Sequence, residues 1–159
     1  VEQVTKAVRK VTDKPVIVKL SPNVTDIVEI AKAVEAGGGD GVSLINTILG
    51  MAIDIHRRKP VLGNIYGGLS GPAVKPVALR MVHQVYKGVN IPIMGLGGIM
   101  TGTDAIEFMM AGAQAVQGGT ATMVDPTAIS RIAREMGDYV EQYNLNSITD
   151  IVGAVHQEK

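Results

Sequence analysis

Short apolar runs alternate with amphipathic segments along this chain. Four runs have the length and β-branched content of buried strands: PVIVKL (15–20), GVSLIN (41–46), IPIMGL (91–96) and AQAVQG (113–118). Elsewhere apolar residues recur every three or four positions, which predicts helices over 1–13, 24–37, 72–87, 101–111 and 126–142. A weaker last helix or a tail is predicted over 147–159.

Local signals support the starts of three of these helices. Thr101 with Asp104 three residues later resembles a capping box. Pro72 suits the first position of a helix, and Asp125 followed by Pro126 predicts an N-cap and a first helical residue. These starts make the alternation of strands and helices regular.

Strict βα alternation with short loops predicts a parallel sheet with right-handed crossovers. Four βα units are half of a (β/α)8 TIM barrel, which needs roughly 250 residues. A complete four-stranded open sheet is the alternative. Helical spacing starts at Val1 with no capping residue ahead of it. We therefore expect residues 1–159 to be the C-terminal half of a single barrel domain, without its upstream part.

One stretch departs from the alternation. Residues 47–71 are rich in glycine and lack a clear period, so we expect an irregular insertion that is functional or serves as a lid. Within it, His56 stands beside Arg57, Arg58 and Lys59. This basic cluster is either part of a lid or an ordinary solvated face.

Composition narrows the possible functions. The 15 basic and 15 acidic residues balance, which argues against nucleic-acid binding, since that requires a basic face. The chain has no Cys, which fits a reducing cytoplasm and excludes disulfides and thiolate metal sites. No apolar run reaches the roughly 18 residues that a membrane span needs. The three histidines lack metal-ligand spacing, and no paired general acid and base stands out.

Two glycine pairs, Gly97-Gly98 and Gly118-Gly119, follow the last two predicted strands. Paired glycines let backbone N–H groups approach an anion, and ligands bind at the carboxyl edge of parallel sheets. GLGGIM (95–100) is not a dinucleotide fingerprint, because Met100 stands where its third glycine belongs. The pairs form either a phosphate cradle or merely tight turns.

Other candidates lie at the same edge. Lys19 ends a buried strand, where it could stabilise an anionic ring or phosphate or simply extend to solvent. Asn46-Thr47 could bind a planar polar ligand or form an Asx turn. Ser70-Gly71 precedes a helix, which suits an anion or ordinary capping. Ser70 has no His/Asp relay and is not interpreted as a nucleophile.

Five motifs, in order and over essentially the whole chain, closely resemble the C-terminal half of dihydroorotate dehydrogenases: VIVKLSPN, SLINT, GNIYGGLSGPAVKPVA, PIMGLGGI and QGGTA. The segment GGLSGPAVKPVALRMV resembles class 1, in particular the NAD-linked 1B type. The resemblance implies a TIM barrel that holds FMN at the carboxyl ends of its strands.

For the cofactor, the resemblance implies that Lys19 contacts the FMN ring, where its charge favours the reduced anionic flavin. Ile45 and Gly71 would also contact FMN. Backbone N–H groups of Gly97-Gly98 and Gly119-Thr120 would bind the FMN phosphate, which moves the second cradle by one residue.

For the substrate, Asn46 and Thr47 would hydrogen-bond the pyrimidine. The implied reaction is oxidation of (S)-dihydroorotate to orotate in pyrimidine biosynthesis, with electrons passing to a partner subunit that carries FAD and a [2Fe–2S] cluster, and then to NAD. A homodimer is also implied.

The chain departs from the family pattern in one respect. Class 1 enzymes use a cysteine base, which lies in the N-terminal half, and this chain has no Cys. We expect no catalytic base here and an inactive isolated chain. Three alternatives remain open: a dihydropyrimidine dehydrogenase-like flavin domain, a non-catalytic phosphate-ligand-binding half-barrel, and a non-flavin barrel isomerase or synthase.

Overall fold

A computed structural model describes residues 1–156. Its helices are α1 (Glu2–Arg9), α2 (Ile27–Ala36), α3 (Lys75–Tyr86), α4 (Gly102–Met110), α5 (Thr120–Val124) and α6 (Ala128–Gln142). Its strands are β1 (Ile17–Leu20), β2 (Gly41–Leu44), β3 (Ile48–Met51), β4 (Ile53–Asp54), β5 (Lys59–Pro60), β6 (Tyr66–Leu69), β7 (Ile93–Leu96) and β8 (Ala115–Gln117). Within residues 1–156, no helix has both the length and the apolar character that crossing a bilayer requires.

The four predicted strands form one parallel sheet in the order β1-β2-β7-β8. The prediction of an α/β chain with a parallel sheet is confirmed. The register aligns Lys19 with Ser43, and Ser43 with Met94. The carboxyl ends of all four strands therefore meet at one edge.

The core lies between the sheet and helices α2, α3 and α4. Alternate strand residues such as Leu20, Val42 and Ile93 are buried there with Phe108. On the other face of the sheet, β1 carries Ile17 and Lys19, and both residues are exposed. Strands β1 and β8 are the two edges of this sheet.

The prediction of an irregular insertion over 47–71 is wrong in part. Strands β3 and β6 form an antiparallel pair, and β4 and β5 form a second, shorter one. The first pair joins residues 15 to 21 positions apart in sequence, from Met51 with Tyr66 to Ile48 with Leu69. Glycines at 50, 67 and 68 hid these strands, because glycine weakens the local strand signal.

Several helix boundaries also differ from the predictions. Helix α1 ends at Arg9, and Val11, predicted to be helical, is exposed beyond it. The segment Pro72–Val74 is a 3-10 turn that precedes α3. Helix α5 was not predicted, because five residues are too few to show a period.

The predicted N-cap is present at the start of α4 but not at the start of α6. The Thr101–Asp104 capping box is present. Asp125 is not the N-cap of α6: it ends α5, and its carboxylate accepts from the Thr127 N–H at 2.9 Å, so that α6 begins at Ala128. The predicted last helix is replaced by 3-10 turns at Ile148–Ile151 and Ala154–His156. The rest of that prediction, residues 157–159, lies outside the described residues.

Candidate ligand-binding site

One cavity of about 140 Å³ lies at the carboxyl edge of the sheet. It is lined by all nine residues that the family resemblance assigns to FMN or substrate: Lys19, Ile45, Asn46, Thr47, Gly71, Gly97, Gly98, Gly119 and Thr120. Gly118, in contrast, is not part of the lining. Leu69, Ser70, Val74 and Leu96 complete its lining. Residues as far apart in sequence as Lys19 and Thr120 therefore line the same cavity.

Backbone hydrogen bonds fix the end of β2 in this wall. The Ile45 N–H donates to Leu96 O at 2.8 Å, and the Asn46 N–H donates to Leu20 O at 3.0 Å. Ile45 is buried, whereas the side chains of Asn46 and Thr47 are exposed toward the cavity side of the sheet edge. The two polar side chains can thus offer donors and acceptors to a planar ligand.

The Gly71 and Gly97-Gly98 turns pack directly on one another. Gly98 has φ +80°, and a Cβ there would stand 2.7 Å from Gly71 O and 2.9 Å from Lys75 N. Gly97 has φ +129°, and a Cβ there would stand 2.8 Å from the Ala78 Cβ. Tight packing therefore accounts for both glycines, whether or not a ligand binds.

The second glycine pair behaves differently. A Cβ at Gly118 would overlap Ile129, but a Cβ at Gly119 meets nothing within 4 Å. The φ of Gly119, −109°, is open to other residues. Packing therefore does not explain Gly119, whereas a ligand approaching its backbone N–H would. Beside it, the Thr120 hydroxyl donates to Ser70 Oγ at 3.0 Å and links β8's turn to the end of β6.

A separate group of charged residues stands behind the glycine turns, outside the cavity lining. Lys75 Nζ lies 2.6 Å from Asp104 Oδ1 and 3.0 Å from Glu107 Oε2. Hydrogen bonding to Asp104, and then to Glu107, raises the pKa of Lys75 above its ordinary value. Burial opposes ionisation of Asp104, but its hydrogen bonds with Lys75, Met100 and Thr101 outweigh this and lower its pKa. Both groups are therefore charged over the ordinary pH range.

Two residues that support the cavity wall, Asn23 and Lys75, were not predicted from the sequence. Asn23, predicted only as a turn residue, holds the segment that carries Thr47. Lys75 looked like an ordinary helix residue. The motifs SPN and GPAVK contain these residues, but no local signal reveals partners 24 and 29 positions away.

The histidines and the basic cluster lie away from the cavity. His83 and His156 have stacked rings with centroids 4.1 Å apart, which their sequence spacing did not indicate. His56 lies in the turn between β4 and β5, where Asp54 Oδ1 accepts from its backbone N–H. Neither arrangement brings a histidine to the lining of the cavity.

The lining chemistry suits an anionic, partly planar ligand. Among the described lining residues, Lys19 is the only charged side chain, and none is a carboxylate, imidazole or thiol. The cavity therefore offers a cation, one amide side chain, three hydroxyl side chains, and glycine turns that can admit an anion to backbone N–H groups. Beside Gly119 the space is open, because a Cβ there would meet no atom within 4 Å, and this leaves room for an anionic group such as the phosphate of FMN.

Comparison with known proteins supports the family resemblance. The sequence pattern of the family Dihydroorotate dehydrogenase matches residues 1–140. This chain belongs to the dihydroorotate dehydrogenase family.

Similar proteins carry the name dihydroorotate dehydrogenase B (NAD(+)), catalytic subunit. The one from Alkaliphilus oremlandii is 63% identical over 153 residues, which are 96% of this chain and 51% of that protein. Desulforamulus reducens has one that is 63% identical over 154 residues, 97% of this chain and 51% of its own length. The chain spans about half the length of these relatives. The family resemblance and its B-type character are confirmed.

Proposed function

We propose that this chain provides the FMN-cradle half of a dihydroorotate dehydrogenase, which oxidises (S)-dihydroorotate to orotate in pyrimidine biosynthesis. The observation that carries the proposal is the single cavity lined by all nine residues that the family motifs single out. FMN would supply hydride acceptance when bound. The cytoplasm is the proposed location, as for an enzyme of soluble metabolites.

The cofactor would be held by seven residues of this chain: Lys19, Ile45, Gly71, Gly97, Gly98, Gly119 and Thr120. Glycine turns present backbone N–H groups to the phosphate, and the helix-start geometry after Gly71 and Gly119 favours negative charge. Lys19 places a positive charge where the flavin ring gains electron density on reduction, which favours the reduced form.

The substrate would be oriented by Asn46 and Thr47. An amide side chain offers both donors and an acceptor, so it can match the alternating N–H and C=O groups of a pyrimidine edge. The Asn46 N–H donates to Leu20 O, next to Lys19 along β1, and Asn46 and Lys19 line the same cavity, so the pyrimidine edge would lie beside Lys19. The proton-abstracting base would come from residues outside this chain.

A half-barrel is the proposed architecture. The cavity of about 140 Å³ is smaller than the roughly 300–1,000 Å³ of whole ligand sites. The edges of β1 and β8 would pair with further strands to close the barrel. We propose that the 159-residue chain alone is inactive, and that the complete enzyme is a homodimer that passes electrons to a subunit carrying FAD and a [2Fe–2S] cluster.

The test starts from the protein as its gene encodes it, purified with any bound cofactor. Intact mass and an absorbance spectrum would identify FMN, and turnover would be compared on dihydroorotate and dihydrouracil. We expect bound FMN and oxidation of dihydroorotate only. Preference for dihydrouracil would instead support a dihydropyrimidine dehydrogenase-like domain, and FMN without turnover would support a binding half-barrel. Absence of flavin would overturn the proposal.

A second measurement addresses the isolated chain. The 159-residue polypeptide, produced alone and mixed with FMN, is expected to show no dihydroorotate oxidation. Turnover near that of the complete enzyme would contradict the proposal that its base lies elsewhere.

A further inference from the structure

A half-buried ion pair lies directly behind the Gly97-Gly98 turn. A Cβ at Gly98 would stand 2.9 Å from Lys75 N and 2.7 Å from Gly71 O, so both residues lie close against Gly98. The Lys75 side chain turns away from the cavity and pairs with Asp104 and Glu107 on α4. Lys75 thus joins the start of α3, which follows Gly71, to the start of α4, which follows Gly97-Gly98.

Asp104 completes this link with its second oxygen. Its Oδ2 accepts from the N–H groups of Met100 and Thr101, both at 2.9 Å, while Oδ1 receives Lys75. Only 15% of the Asp104 side chain is exposed, so these charge-assisted bonds are partly shielded from water. The carboxylate therefore fixes the loop two residues after Gly98.

Arg131 on α6 makes a second link from the same loop. It donates to Met100 O at 3.1 Å and pairs with Asp125, 3.6 Å away, at the end of α5. Glu135 pairs with Arg131 and also accepts from the Gly102 N–H. Arg131 thus ties the Gly97-Gly98 turn to the short helix that begins after Gly119.

We propose that Lys75, Asp104 and Arg131 are positioning residues for the phosphate of the bound flavin. The inference rests on the proposed function and deepens it. None of the three lines the cavity, yet together they link the segments that follow Gly71, Gly98 and Gly119. Neutral N–H donors bind an anion well only when they are preorganised, because a small displacement weakens every bond at once.

The experiment compares FMN with riboflavin, which differs only by the phosphate. The protein as its gene encodes it is stripped of flavin and titrated with each ligand by fluorescence quenching. The variants are Lys75→Met, Asp104→Asn and Arg131→Met, with Lys75→Arg to restore the cation. Lys32→Met is the matched control, because Lys32 also pairs with a carboxylate, Glu29, but on the exposed face of α2.

The unsubstituted protein should prefer FMN over riboflavin. Lys75→Met and Asp104→Asn should reduce FMN affinity about tenfold while leaving riboflavin affinity unchanged. Arg131→Met should act in the same direction, and Lys75→Arg and Lys32→Met should keep the preference. Asp104→Asn preserves side-chain size, so it tests the charge even if Lys75→Met does not fold.

Two results would contradict different proposals. If the unsubstituted protein shows no preference for FMN, the proposed flavin function fails. If it prefers FMN and the folded variants keep that preference, or lose both ligands equally, the three residues do not position the phosphate site and only the inference fails.

Discussion

Asn23 bridges to the backbone of Thr47 across the carboxyl edge of the sheet. Its Nδ2 donates to Thr47 O at 3.0 Å, and its Oδ1 accepts from the Leu49 N–H at 2.9 Å. The amide therefore links the turn after β1 to the segment after β2 and to the start of β3. It holds the residues proposed to contact the pyrimidine.

We predict that Asn23→Leu weakens orotate binding without changing FMN binding. The substitution keeps the branched shape of the side chain but removes both hydrogen bonds, so the Asn46-Thr47 segment loses its support. We expect a loss of about 1 kcal/mol, or roughly fivefold in orotate affinity. Spectral titration of the flavin-bound protein with orotate measures it. Asn64→Leu, on an exposed part of the insertion, is the control; an equal loss there would contradict the prediction.

Gly119→Ala should separate ligand binding from folding. Because an added Cβ meets nothing and φ is permissive, unfolding free energy should change by no more than about 0.5 kcal/mol. FMN affinity should fall about tenfold, since the methyl group occupies the approach to the backbone N–H. Urea unfolding and flavin titration are the measurements. Gly137→Ala, exposed on α6, controls for glycine replacement and should stabilise by up to about 1 kcal/mol.

Gly98→Ala is expected to behave in the opposite way. The positive φ of +80° and the overlap with Gly71 O should destabilise the fold by about 2–4 kcal/mol. A urea midpoint matching that of Gly119→Ala would show that the two turns do not differ as described.

Lys19→Met should lower the reduction potential of bound flavin. Removing the cation leaves the charge of the reduced ring less stabilised, and a shift of about 30 mV corresponds to ~1.4 kcal/mol for a two-electron couple. Potentiometric titration measures it. Lys10→Met, exposed just beyond α1, should leave the potential unchanged. An unchanged potential in Lys19→Met would place this lysine away from the ring.

The Asp104 network predicts a specific acid dependence of stability. The pKa of the Asp104 carboxyl lies below the ordinary value of 3.8. The stabilisation that its negative charge gives the folded state is therefore complete above pH 3.8 and is lost as the pH falls through the lowered pKa. The difference in unfolding free energy between the unsubstituted protein and Asp104→Asn should therefore be constant at neutral pH and shrink below about pH 3.8. Urea unfolding across pH 2–7 tests this. A difference that is independent of pH would contradict it.

Much of the site could be predicted from the sequence, because its residues follow strands that are themselves recognisable. Apolar runs located β1, β2, β7 and β8, and parallel strands share a carboxyl edge, so Lys19, Asn46 and Gly97 had to come near one another. The supporting groups could not be predicted in this way. Asn23, Lys75 and Arg131 have common residue types, and their partners are distant in sequence.

The sequence by itself determined the βα alternation, the family motifs and the positions of the glycine turns, because these depend on local periodicity and local backbone freedom. Tertiary structure decided which glycines the fold requires: Gly98 is crowded by Gly71 and Lys75, whereas Gly119 faces open space. It also decided that β3 and β6 pair within the insertion. The physical reason is that packing and strand pairing join residues far apart in the chain, and no local pattern encodes the partner.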